Sequence, residues 1–194
     1  MSSKDDTPLE LFKQALAATA KAMSQTRDVE TSFVSEAGRT EEGRLVLQSP
    51  PRELSPEQAA RARGEADALS LRMAHHDASA HAADRPSGEM ARQVYEAAER
   101  ARVESIGANA MEGTAANLDA ALAARCEKAG YSRMQDRTDA PIAPAIEFLL
   151  REKLTGRKLP AEAEGIASIW RDEVTARGAN ALDELLGQLN DQRA

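Results

Sequence analysis

Between Ser55 and Ala80 one pattern limits the fold more than any other. Ala59, Ala62, Ala66, Leu69, Met73, His76 and Ala80 follow one another in alternating steps of three and four. That spacing lays a continuous stripe along one face of an α-helix. The helix has a marked start. Ser55 can cap it, Pro56 suits its first position, and Gln58 can reach back to complete a capping box. Arg85-Pro86-Ser87-Gly88 ends it, so one long helix is expected over 55–82. The stripe is small at its start and larger later, which predicts a close neighbour along the N-terminal half. A striped helix must bury its stripe, and aromatic residues make up only 3% of the chain. Its partners are therefore expected to be other helices built from Ala, Leu, Ile, Val and Met.

The rest of the chain supplies them. Thr7-Pro8 starts a helix carrying Leu9, Phe12, Leu16, Ala20 and Met23. A second helix of the central pair begins near Glu89, with Met90, Val94, Ala97 and Ala101 on one face; Gly107 is expected to loosen its end. Gly113-Thr114 opens a further helix that Gly130 closes. Asp139-Ala140-Pro141 opens the next, stopped by Gly156, and Pro160–Thr175 and Ala179–Asn190 give two more. Before Ser55, VETSFV at 29–34 and RLVLQ at 44–48 read as strands joined by the polar loop EAGRTEEG, a β-hairpin over 29–48. The expected architecture is mainly α with a small β-hairpin (α+β). About seven helices form a single domain over 7–194, after a disordered tip at 1–6.

Charge and motifs exclude several functions. The net charge is −7 with acids and bases interspersed, so neither a nucleic-acid nor a membrane partner is expected. Cys126 is the only cysteine, which rules out an intrachain disulfide and a thiolate zinc cluster. No secretory leader and no apolar run of about 18 residues is present, giving a cytoplasmic protein as the expectation. GxxxxGK[ST], GxSxG and HExxH are all missing.

Two sets of residues could carry chemistry or contacts. Asp77 and His81 are four apart on the expected helix and could chelate a metal, with His76 beside them and Glu104 donated by the next helix. The bland reading makes His76 a hydrogen-bonded core residue on the stripe. The order of hairpin, histidine helix and acidic helix also fits a degenerate zinc-metallopeptidase-like fold. Glu96, Arg100 and Glu104 step by four along α-helical spacing as an alternating-sign ladder, which could be a docking surface, a solvated face or an intramolecular salt-bridge network.

Several stretches carry a resemblance. They are PLELFKQAL at 8–16, LRMAHHDASAHAADRP at 71–86 and VYEAAERARVESIGANAMEGTAANLDAAL at 94–122, the last containing Glu99, Arg102, Glu104 and Gly107. DAPIAPAIEFLLREKLTGR at 139–157, IASIWRDEV at 166–174 and LNDQRA at 189–194 continue it. Together, in order, they resemble the N-terminal region of the T subunit (CobT) family of the aerobic, ATP-dependent cobaltochelatase of cobalamin biosynthesis. The resemblance implies a subunit of a ligase that inserts Co²⁺ into hydrogenobyrinic acid a,c-diamide. Its implied partners are an AAA+ ATPase, which uses ATP and Mg²⁺, and a large corrinoid-binding subunit. This chain is expected to be an interaction domain that binds no cofactor and performs no catalysis by itself. The family's C-terminal von Willebrand A-type domain is not in this sequence, so a fragment of a longer protein is expected.

Overall fold

The computed structural model describes residues 7–192, except the side chains of 179–183. The expected tip at 1–6 and Leu182 therefore lie outside what can be described. Helix α1 (Pro8–Met23) is capped by Thr7, whose hydroxyl accepts the Glu10 N–H. Then come β1 (Glu30–Val34), β2 (Arg39–Glu41) and β3 (Arg44–Gln48). The helices α2 (Pro56–His75), α3 (Ala78–Ala83), α4 (Glu89–Ala110), α5 (Glu112–Ala129), α6 (Ile142–Thr155) and α7 (Ala161–Gly187) follow. The protein is mainly helical with a small sheet, as the sequence predicts.

The sheet departs from the expected hairpin. Its order is β1-β3-β2, and β1 runs parallel to β3 in the register Glu30↔Arg44 to Val34↔Gln48. The loop between them contains a strand of its own. Arg39–Glu41 pairs antiparallel with β3 across a turn at Gly43, which sits at φ 67°. The only hairpin among the described residues is thus β2–β3. β3 is the middle strand, and Leu45, Val46 and Leu47 are all buried, as expected of a strand covered on both faces.

The capping box at Ser55 forms. Its hydroxyl accepts the Gln58 N–H at 3.2 Å, and the Gln58 side chain accepts the Ser55 N–H at 2.9 Å. The close neighbour predicted for the first half of this helix is α5. A Cβ added at Gly64 would lie 2.0 Å from the Asn117 carbonyl oxygen, so backbones meet there and only glycine fits. Beside that crossing the buried Asp67 accepts a hydrogen bond from Asn117 at 2.9 Å.

The helix expected over 55–82 is broken in two. His76 adopts an extended backbone, and Asp77 caps α3 by accepting the Ser79 and Ala80 N–H groups at 2.8 and 3.1 Å. At the other end the two expected helices from Pro160 onward are one, α7. Gly107 does not loosen α4, which runs on to Ala110. It makes room for Leu71 of α2, whose methyl would sit 2.4 Å from an added Cβ.

Among the described residues three apolar clusters fill the interior. Leu16, Val29, Leu45 and Leu47 join Ala66 beneath the sheet. Leu71, Val103, Ala108 and Leu118 form the centre. Leu122, Cys126, Phe148 and Ile166 join α5, α6 and α7. Helix α4 packs against α2, α5 and α6, and it carries charged groups into the spaces between them. No helix among the described residues is long and apolar enough to cross a membrane.

Candidate functional site

Two charge clusters flank α4. The first lies at the α2–α3 break. Arg72 approaches His76 Nε2 at 3.3 Å, and His76 Nδ1 lies 2.7 Å from Glu99 Oε1. A guanidinium can only donate, so Nε2 accepts and Nδ1 carries the proton that Glu99 receives. Arg102 clamps the same carboxylate with two bonds, at 2.7 and 2.9 Å. Its remaining donors reach the His75 carbonyl at 2.6 Å and the Leu189 carbonyl at 3.2 Å. Gln192 donates to the Asp77 carbonyl at 3.0 Å and accepts the Asp77 N–H at 2.6 Å. Arg102 and Gln192 thereby fasten the segment after α7 to the break.

Glu99 is only 6% exposed. Burial pushes its carboxyl up, but the bonds and charges of Arg102 and His76 outweigh that and hold it below the ordinary carboxylate value. Next to it His81 Nε2 donates to Glu96 at 3.0 Å. The His81 ring stacks on Tyr95 at 4.3 Å and meets His76 edge-on at 4.8 Å.

The second cluster lies between α4, α5 and α6. Glu147, on α6 and 4% exposed, accepts from Arg100 of α4 at 2.9 Å and from Arg125 of α5. Glu104, 8% exposed, accepts from Arg151 at 2.8 Å; Arg151 also holds Asp119 at 2.8 Å. Burial and then the neighbouring Glu147 charge raise the Glu104 carboxyl above its ordinary value, against the pull of Arg125, Arg151 and Arg100.

The expected metal set does not converge. Asp77 spends its carboxylate on capping α3, and Glu104 is held by Arg151 in the other cluster. His76 and His81 do come together, and the next helix does supply carboxylates to them, but these are Glu99 and Glu96. Among the described residues no group of three or more His, Cys, Asp or Glu side chains is arranged to hold a metal ion. Arg72 and Arg102 already bring positive charge to this centre.

Glu96, Arg100 and Glu104 do not pair with one another along α4; they join intramolecular salt bridges to other elements, with His81, Glu147 and Arg151 respectively. Glu96 and Arg100 reach the surface, whereas Glu104 is buried. Glu147 and Arg151 were not singled out from the sequence. Their signal was there: Glu147 interrupts the apolar run Ile146 to Leu150, and Arg151, four residues on and of opposite sign, follows it directly.

The family model of the cobalamin biosynthesis protein CobT matches residues 6–194, essentially the whole chain. The chain belongs to the CobT family, and its place is in cobalamin biosynthesis. No solved structure matches it.

Proposed function

We propose that this chain is the N-terminal assembly domain of the T subunit of an aerobic cobaltochelatase, and that it performs no chemistry alone. The observation that carries the reading is the family match across residues 6–194. In this reading ATP and Mg²⁺ are used by an AAA+ partner ring. Co²⁺ and hydrogenobyrinic acid a,c-diamide are substrates held by the large subunit. The helical domain passes displacement from one to the other. The backbone contact at Gly64 and the cross-helix pairs of α4 suit that task, because a tightly packed body moves as a unit.

The surface we assign to docking centres on Glu96 and Arg100, without Glu104. Charge complementarity at a rim sets orientation and encounter rate. The test is co-purification of this chain with the AAA+ ring. Glu96→Lys combined with Arg100→Glu is expected to weaken assembly at least tenfold while the circular dichroism spectrum is kept. Failure of the unaltered chain to associate with either the ring or the large subunit would sink the proposal.

A further inference from the structure

The three apolar clusters do not close completely on one another. Where they meet there is a cavity of about 350 Å³, bounded by α1, α2, α4, α5, β3 and the loop after β1. Its apolar wall includes Leu16, Leu47 and Leu69 on one side and Leu118 and Leu122 on the other. This volume lies at the lower end of the range for small-molecule sites, about 300–1,000 Å³.

The cavity wall carries an excess of positive charge, with Arg61, Arg100, Arg125 and Lys128 against Glu65 and Glu104. Arg61 and Glu65 on the lining answer each other at 2.7 Å, and Glu104 is answered by Arg151. Arg100 and Arg125 must share the single carboxylate of Glu147, and Lys128 adds a further cation to the wall. Each guanidinium has five N–H donors. Toward Glu147, Arg100 uses Nη1 and Arg125 uses Nη2, which leaves donors on both for a second anion. Both arginines line the cavity, and their side chains are 46% and 37% exposed.

We propose that this cavity binds a small amphipathic carboxylic acid, its apolar body among the leucines and its carboxylate on Arg100 and Arg125. A metal cation is repelled by the same arginines. A bare inorganic anion would leave the leucine wall uncovered. An uncharged apolar molecule would leave the two arginines on one carboxylate. Only a ligand with both parts uses the whole cavity. Arg100 is shared with the proposed docking surface, but one test reads association and the other reads ligand binding, so either proposal can fail without the other.

Calorimetric titration of the chain with octanoate, 1-octanol and acetate tests it. Octanoate is expected to bind saturably at one site, at least tenfold tighter than either of the others. Arg100→Gln with Arg125→Gln should weaken octanoate at least tenfold and leave octanol unchanged. Ala124→Leu, which adds bulk to the cavity wall from α5 and leaves both arginines in the sequence, should abolish octanoate binding while the helical spectrum persists. The proposal is overturned by a lack of saturable octanoate binding, or by octanol binding equally well. Binding that survives both the double arginine variant and Ala124→Leu overturns it too.

Discussion

The two sides of α4 solve the same problem differently. Glu99 and Glu104 are both carboxylates on one helix, at 6% and 8% exposure. One is held below its ordinary pKa and the other is raised above it. Burial acts in the same direction on both. The difference lies in the partners. Glu99 receives a bidentate arginine and an imidazole N–H, with its charge needed by both. Glu104 has one arginine bond and a second carboxylate nearby. An almost buried carboxylate is thus a tie on one side and a cost on the other. The number and sign of its neighbours decide which.

Removing the tie should do most damage. Glu99→Ala leaves Arg102 and His76 without their acceptor and is expected to cost about 3 kcal/mol, read from urea unfolding midpoints. A loss below about 1 kcal/mol would mean that the clamp is replaceable by water. Glu147→Ala should cost less, about 1–2 kcal/mol. The two arginines it frees are partly exposed, and Glu104 loses a like-charged neighbour.

The pH dependence separates the two carboxylates by sign. The Glu99 contribution is complete above the unfolded carboxylate value and is lost as pH falls through its lowered folded value. Glu104 behaves in the opposite way. Its ionised form costs stability, and that cost is relieved as pH falls through its raised value. Unfolding midpoints measured from about pH 8 to about pH 3 should therefore show a gain before the acid loss. Glu104→Gln should remove the gain, and Glu99→Gln should reduce the loss. At neutral pH Glu104→Gln should change stability less than Glu99→Ala does, because Arg151 keeps Asp119 as a partner. The smallest effect is expected from zinc. Dialysis against Zn²⁺ should leave no stoichiometric tightly held ion, because Arg72 and Arg102 occupy the places around His76 and Glu99. Retained zinc, lost in His81→Ala, would mean that the first cluster is a metal centre after all.

Much of this arrangement was legible in the residues. The α2 start, the stripe and the close approach of its first half were readable, because caps and periodicity are local. The break at His76–Asp77 was not. His76 and Ala80 stay on the buried side across it, so the stripe continues in step while the backbone does not. The parallel β1–β3 pair was hidden because Arg39-Thr40-Glu41 has no apolar alternation to announce an edge strand. The two charge clusters depend on partners distant in sequence: His81–Glu96 are 15 residues apart, His76–Glu99 are 23, and Arg100–Glu147 and Glu104–Arg151 are 47. Sequence spacing placed Glu96, Arg100 and Glu104 together on one helix, and tertiary packing gave each a different partner.

Cys126 lies wholly inside the cluster between α5, α6 and α7. Burial pushes its thiol up to about 11, against the pull of the adjacent Arg125. Thiol reagents attack the thiolate, and they need access to it. The folded protein should therefore resist labelling, and any labelling would time the departure of α5 from its partners. The molecule carries its own stopwatch for opening, with no engineered label.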